Sequence, residues 1–153
     1  MKEHITTTEK ENKLAQLTHL SSLSGFLFPF ASIIAPLVVW LSNKESKFVD
    51  QHGKAVVNFQ LSLYMYYLIG VVLFIIYFLF NIMNGQIQEI NLDGIQVYSD
   101  IPDYFFSSLL VLSILAIFYL ALQVINIVTT IVGSQKAVRG EFYKYPISIR
   151  FIR

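Results

Sequence analysis

The chain of 153 residues contains no cysteine and little charge. Without cysteine, disulfide bonds, thiolate catalysis and cysteine-ligated metals are excluded. Charged residues make up 14% of the chain and hydrophobic residues 55%, whereas a typical soluble domain carries about 25% charged residues. The net charge of +1 provides no overall field that would attract a polyanion. We therefore expect no nucleic-acid partner.

Motifs that carry chemistry are equally scarce. The three histidines are His4, His19 and His52, and none of them belongs to an HExxH pair. No Gly-rich phosphate loop is present, and no nucleophile is positioned beside Asp50 and His52. The sequence therefore predicts no enzyme, no cofactor and no metal site. The alternative is a membrane-surface enzyme that uses His52 and Asp50.

Long stretches without any Asp, Glu, Lys or Arg dominate the chain. They cover residues 14–43, 55–88 and 104–135. A bilayer core of roughly 30 Å takes about 20 apolar residues as a helix, so the second and third stretches are long enough to span it. Pro29 and Pro36 interrupt the first stretch, and proline breaks helices. The predicted fold class is an all-α integral membrane protein, with two long transmembrane helices plus a Pro-broken N-terminal helical hairpin or kinked span.

Capping signals set the boundaries of the predicted helices. Thr8 with Glu11 forms a capping box, Ser46 is an N-cap, and Gly140 fits the position after a helix end. A polar N-terminal tail (1–13) and a C-terminal tail (141–153) flank a helical membrane domain (14–140). That domain comprises the Pro-broken segment 14–41, a helix over 47–82, a loop over 83–102 and a helix over 103–139. A short hairpin around residues 91–94 is one option for the loop.

The charges are distributed asymmetrically about the predicted spans. Residues 83–103, the loop and the first residue after it, carry Glu89, Asp93, Asp100 and Asp103 but no Lys or Arg, whereas the 44–54 turn and the C-terminal tail are basic. The positive-inside rule places the loop outside the cytoplasm. We predict a protein of the bacterial cytoplasmic (inner) membrane with both termini cytoplasmic. A first stretch that turns back at Pro29 keeps the N-terminal lysines inside, and a full crossing is the alternative.

Polar residues recur at helical spacing on the two long helices. Asn58 and Ser62 share one face, and Gln123, Asn126 and Thr130 share another. Such side chains need partners, and an interhelical hydrogen bond contributes about 1 kcal/mol. They either pack the monomer or form a groove for a client segment or an oligomer contact.

Charged and histidine side chains complete the candidate contacts. Asp50 and Lys54 are four residues apart and predict a surface ion pair, while His52 would meet His19 if the first helix packs alongside. The full candidate set is His19, Asp50, His52, Lys54, Asn58, Ser62, Gln123, Asn126 and Thr130.

Three groups of residues carry a family resemblance. They are HLSSL at 19–23 with Pro29-Phe30 and IIAPL at 33–37, then FVDQHGKAVVNFQLS at 48–62, and finally Lys136-Ala137, Gly140-Glu141, Tyr145-Pro146 and IRFI at 149–152. From about residue 14 to 153 the sequence resembles the bacterial small membrane proteins related to the twenty-kilodalton subunit of the chloroplast Tic protein-import translocon. Ala31-Ser32 departs from the Gly-Asn of many relatives. The resemblance implies an α-helical membrane fold and no catalytic residues.

The functional prediction follows from these features. We expect a non-enzymatic membrane protein that resembles a translocon subunit and acts in the lipid bilayer by assembling with itself or with other membrane proteins. A small-solute channel or transporter component is the alternative, and it requires a water-accessible groove beside Asn58 and Asn126.

Overall fold

The computed structural model describes residues 7–28, 30–84, 89–92, 95–98 and 103–153. Within them lie four α-helices: α1 (Glu9–Ser21), α2 (Ala31–Leu41), α3 (Lys47–Asn84) and α4 (Asp103–Val138). A 3-10 helix, Ser22–Phe26, follows α1 directly. The predicted helical fold is confirmed for these residues. Two segments, Lys47–Met83 and Phe105–Val138, are long and apolar enough to cross a membrane.

The N-terminal segment is a pair of short helices. At the start of α1 the predicted capping box is present, because Thr8 Oγ1 accepts from the Glu11 N–H at 3.3 Å and the Glu11 carboxylate accepts from the Thr8 N–H at 2.8 Å. α1 and α2 contact each other, so the segment is a hairpin rather than one kinked helix. The expected break at Pro29 lies outside the described residues, and Pro36 is buried within α2.

The start of α3 is tied to the start of α1. Ser46 Oγ accepts from the Val49 N–H at 3.4 Å, as expected of an N-cap, and donates to the Glu11 carboxylate at 2.6 Å. This bond, followed by those from Thr8, holds the pKa of Glu11 below its usual value. One carboxylate therefore helps to fix the beginnings of two helices.

A two-stranded hairpin lies between α3 and α4 in the sequence. Strands β1 (Glu89–Leu92) and β2 (Ile95–Tyr98) pair antiparallel, with Leu92 opposite Ile95. The strands correspond to the hairpin option for the loop, and the turn residues 93–94 lie outside the described residues.

The end of α4 is closed by a glycine. Gly140 has φ +71°, its N–H donates to the Ala137 carbonyl at 3.0 Å, and the Glu141 N–H donates to the Lys136 carbonyl at 2.9 Å. This is the Schellman arrangement, in which glycine tolerates the left-handed backbone. The predicted position of Gly140 directly after the helix end is therefore what the structure has. The C-terminal tail begins here.

The chain divides into two compact units. One comprises Met1–Met65 with Leu122–Arg153, and the other comprises Tyr66–Ala121. The first unit contains a buried core that includes Ala15, Phe48, Val49, Val56, Phe59, Leu63 and Ala137. It also contains nearly all of the buried polar side chains. The second unit consists of the apolar parts of α3 and α4 together with the hairpin.

Trp40 joins α2 to α3 through a glycine. The indole is only 7% exposed, and its Nε1 donates to Asp50 Oδ1 at 2.9 Å. A Cβ added at Gly53 would overlap the ring and Cβ of Trp40. The helices approach this closely only because residue 53 has no side chain.

Gly53→Ala is therefore expected to destabilise the protein. The added methyl group must displace the Trp40 ring, and overpacking of this kind costs roughly 1–3 kcal/mol. The melting temperature of the purified protein in mild detergent measures the effect.

Gly70→Ala is the matched control, since it makes the same change in the same helix. A Cβ at Gly70 would meet Leu115 Cδ2 at 3.5 Å, an ordinary contact. We expect a melting temperature equal to or above that of the parent, because alanine favours helix over glycine by about 1 kcal/mol. Equal losses in the two variants would contradict the close Trp40 contact.

Candidate functional site

A buried pair of histidines lies at the centre of the first unit. His19 comes from α1 and His52 from α3, and His19 Nε2 lies 2.7 Å from His52 Nδ1. On its other side His19 Nδ1 lies 2.7 Å from the hydroxyl of Tyr145 in the tail. The three side chains are 0%, 1% and 3% exposed. The structure thus brings together the two histidines considered from sequence and adds Tyr145, which sequence reasoning missed.

Aromatic rings and a glycine enclose this histidine pair. The Phe48 ring lies 4.5 Å from His52 and the Phe59 ring stacks 4.3 Å from Tyr145, both measured between centroids. A Cβ at Gly133 would come within 2.7 Å of His19 Nδ1. The close approach of α4 to His19 therefore requires glycine, and the surrounding rings help to bury the pair.

The enclosure keeps the histidine–tyrosine chain neutral. Burial, together with the adjacent His52, lowers the pKa of His19 to about 3. Burial also raises the pKa of Tyr145. A cationic His19 could still donate to both of its partners, so its hydrogen bonds do not forbid protonation. The cost of desolvating the charge does.

The C-terminal tail is bound to α3 through Asn58 and Ser62. Asn58 Oδ1 accepts from the N–H groups of Phe151 and Ile152 at 3.0 and 2.8 Å, and its Nδ2 donates to the Ile152 carbonyl at 2.9 Å. Ser62 Oγ accepts from the Ile149 N–H at 2.8 Å. The polar face predicted on this helix is therefore occupied by the chain's own backbone.

The polar face predicted on α4 is also used within the first unit. Asn126 Oδ1 accepts from Gln60 Nε2 at 2.9 Å, and both side chains are buried. Thr130 lies 3.3 Å from the Ser22 hydroxyl. Gln123 is half-buried on the same helix. Gln60 was missed from sequence, although a glutamine in an uncharged stretch was a usable signal.

Asp50 and Lys54 form the ion pair expected from their spacing. The distance from Lys54 Nζ to Asp50 Oδ2 is 2.7 Å, and the two side chains are about a third and a quarter exposed. Asp50 also accepts from Trp40, as described above. Trp40 and Lys54 are thus the partners of Asp50, whereas His52 is bonded to His19, so the structure does not assemble Asp50 and His52 into one acid–base site.

An open cleft lies between the first half of α3 and the tail. Its volume is about 750 Å³, and His52, Lys54 and Asn58 line it on the α3 side. Tyr143, Lys144, Tyr145, Arg150 and Arg153 are among its lining residues from the tail. This cleft was not foreseen from sequence, because it depends on the tail folding back.

A metal centre is not apparent in the described ranges. Over them no three His, Asp or Glu side chains come close enough together to hold a metal ion. Both ring nitrogens of His19 are already engaged, Nδ1 by Tyr145 and Nε2 by His52. The geometry of the pair fits a structural role better than metal ligation.

The fold defines a small helical protein with two helices of membrane-spanning length. The model of the MamF/MmsF family, described as the magnetosome magnetite crystal formation protein family, matches residues 10–152. The chain belongs to this family. No curated protein and no solved structure matches it.

This membership corrects the resemblance drawn from sequence motifs. The expected relation to the family of the Tic translocon subunit was wrong, because the matching family model covers nearly the whole chain and describes magnetite crystal formation. The expected role in protein transport is withdrawn with it. The structure also removes one reason for expecting that role. The polar face of Asn58 and Ser62 binds the protein's own tail and does not form an open groove for a client segment.

Asn58→Ala is expected to release the end of the tail. The variant loses three hydrogen bonds, each contributing about 1 kcal/mol. Hydrogen exchange at the Phe151 and Ile152 amides should therefore become about tenfold faster or more. Mass spectrometry of the C-terminal peptide measures it.

Asn81→Ala provides the control for this change. The Asn81 amide donates to the Tyr77 carbonyl of its own helix at 2.8 Å. Its removal should leave exchange in the tail at the parent rate. Equal rates of hydrogen exchange at the Phe151 and Ile152 amides in the parent and in Asn58→Ala would show that Asn58 does not hold the tail.

The lowered pKa of His19 predicts a stability that falls in acid. The unfolded chain takes up a proton near the ordinary value of 6.5, whereas the folded protein resists protonation until about 3. Stability is therefore complete above pH 6.5 and declines below it, by about 2 kcal/mol at pH 5 for this one group. Melting temperatures measured across this range should fall less steeply in His19→Gln. An unchanged slope would contradict the assignment.

Proposed function

We propose that the chain is a two-span integral membrane protein of the magnetosome membrane that contributes to magnetite crystal formation as a non-enzymatic component. The observation that carries this proposal is the family match over residues 10–152. Membrane insertion, orientation and the contact with the mineral are the parts that we add to that match.

Exposed apolar side chains support insertion into a bilayer. Along α3 and α4 the exposed set includes Leu68, Ile69, Leu73, Ile76, Phe80, Leu110, Ile114, Ile117 and Leu120. In water so extensive an apolar surface would be a liability, whereas lipid chains cover it at no such cost. The span Lys47–Met83 has 37 residues, or about 55 Å of helix, so its ends extend beyond a bilayer core of roughly 30 Å.

The N-terminal hairpin fits a segment that enters the membrane and turns back. α1 has 13 residues and α2 has 11, so neither alone crosses the apolar core. Phe26, Leu27 and Phe28, where the pair turns, are 56%, 77% and 69% exposed. We infer that this apolar tip dips into the bilayer from the cytoplasmic side. The N-terminal and C-terminal tails then lie on that side, as the distribution of Lys and Arg favours.

The interior contacts favour a non-enzymatic role. His52 is buried against His19, and Asp50 is engaged by Trp40 and Lys54, so the residues of a surface enzyme face different partners. The channel alternative required a water-accessible groove beside both Asn58 and Asn126, and of these two residues only Asn58 lines the open cleft. Both side chains are hydrogen-bonded and only 5% and 6% exposed.

The acidic loop is our candidate for the contact with iron or mineral. Glu89, Asp93 and Asp100, together with Asp103 at the start of α4, supply four carboxylates, and residues 83–103 contain no Lys or Arg. Carboxylate oxygens are the ligands that hard cations prefer. In the proposed orientation they lie on the side of the membrane opposite the cytoplasm. Any assembly with itself or with other membrane proteins would use the exposed apolar faces of α3 and α4.

The proposal predicts an effect on crystal growth. Ferrous and ferric iron are coprecipitated in the presence of vesicles carrying the full-length protein, and crystal sizes are measured by electron microscopy. We expect a size distribution that differs from that obtained with empty vesicles. Indistinguishable distributions would contradict a direct role.

The role of these four carboxylates is tested by replacing each with the amide of nearly the same size, which removes the negative charge. The variant Glu89→Gln/Asp93→Asn/Asp100→Asn/Asp103→Asn should give the distribution of empty vesicles. The control is Glu9→Gln/Glu45→Gln, which removes exposed carboxylates outside the loop and should behave as the parent. An effect of the four-residue variant no larger than that of the control would exclude the loop.

A further inference from the structure

The cleft beside α3 gathers positive charge on one surface. Lys54, Lys144, Arg150 and Arg153 line it, and none of the described residues lining it is acidic. Four cations around about 750 Å³ repel one another unless an anion lies among them. The volume is within the range of roughly 300–1,000 Å³ that is usual for small-molecule sites.

Backbone anchors hold these cations in position. Asn58, one helical turn after Lys54, binds the backbone of Phe151 and Ile152, and therefore Arg150 and Arg153 flank the anchor directly. At the other end, the Tyr145 bond to His19 fixes the backbone beside Lys144. The tail is thus preorganised, so the binding of an anion does not carry the entropic cost of ordering the tail.

Most of this charge is uncompensated within the protein. Lys54 is paired with Asp50 at 2.7 Å, but no described carboxylate forms an ion pair with Lys144, Arg150 or Arg153. His52 also lines the cleft, and its buried Nε2 makes no hydrogen bond among the described residues, although the backbone of Glu141 lies near the ring. The cleft therefore offers the positive charge of Lys144, Arg150 and Arg153, which no described carboxylate pairs with.

The outer surface of the tail indicates where the anion comes from. Ile147, Ile149 and Phe151 are 47%, 39% and 48% exposed and alternate along the chain with polar and cationic residues. At a bilayer surface, apolar side chains of this kind insert among the acyl chains while Lys and Arg reach the phosphates. Tyr143, half-buried in the cleft, has an amphipathic ring suited to the same depth.

We propose that the cleft formed by Lys54, Lys144, Arg150 and Arg153 binds a phosphate-bearing anion, supplied by the headgroup of an anionic phospholipid on the cytoplasmic leaflet. Free inorganic phosphate carries the same chemistry and is the other source to be distinguished. The proposal goes beyond magnetite formation and its test contains no iron, but the assignment to the cytoplasmic leaflet rests on the membrane orientation proposed above.

The test is native mass spectrometry of the full-length protein in neutral detergent. Phosphatidylglycerol and phosphatidylcholine with identical acyl chains are titrated separately, and inorganic phosphate is then added as a competitor. We expect the parent to retain phosphatidylglycerol selectively. The variant Lys144→Gln/Arg150→Gln should bind it about thirtyfold more weakly, since each of the two basic residues removed contributes about 1 kcal/mol near a lipid surface.

The matched control is Lys44→Gln/Arg139→Gln. It also removes one lysine and one arginine, both exposed and neither lining the cleft, and it should retain the parent affinity. Slow exchange at the Phe151 and Ile152 amides verifies that the tail remains docked in both variants.

The possible results separate cleanly. Selective binding lost only in the cleft variant supports the lipid source, and displacement of the lipid by inorganic phosphate at millimolar concentration supports the same site with a soluble ligand. Equal binding of both lipids by the parent, or equal losses in the cleft and control variants, overturns the proposal.

Discussion

The first unit depends on the docking of its C-terminal tail onto α3. Asn58 and Ser62 carry polar groups into an apolar helix, and the tail brings backbone N–H groups that have no helix or strand to pair with. Burial of either set alone would cost a few kcal/mol per group. Each set satisfies the other, and Tyr145 adds the bond to His19 that connects the tail to α1. Removing the tail would therefore leave unpaired groups on two helices.

The same docking explains why buried histidines and exposed cations lie so close together. Tyr145 reaches inward to a buried aromatic enclosure in which His19 stays neutral. Its neighbour Lys144 remains exposed in the cleft. Desolvation strongly penalises a charge in the buried enclosure around His19 but not in the exposed cleft beside Lys144. Neighbouring residues of the tail thus face a neutral interior and a charged surface. The position at which the tail docks on α3 decides which residues face which side.

Much of the helical architecture could be predicted from sequence. The uncharged stretches gave the two long helices, and local chemistry gave the capping box at Thr8 and the helix end at Gly140. The polar residues of the site were recognised, but their partners were not. Asn58 pairs with backbone groups of residues 151 and 152, and backbone groups leave no side-chain pattern to read. Short motifs likewise pointed to the wrong family, because they report shared helix packing and capping rather than function.

Polar residues inside an apolar helix are therefore weak evidence for a pore or a client groove in this protein. Asn58, Gln60 and Asn126 are each buried and hydrogen-bonded within the first unit. Surfaces that need a partner are found elsewhere. The exposed apolar faces of α3 and α4 fit lipid or another apolar helix, and the cations of the cleft fit an anion. An anionic bilayer surface would supply both, and this is why we propose the membrane itself as the first partner of this fold.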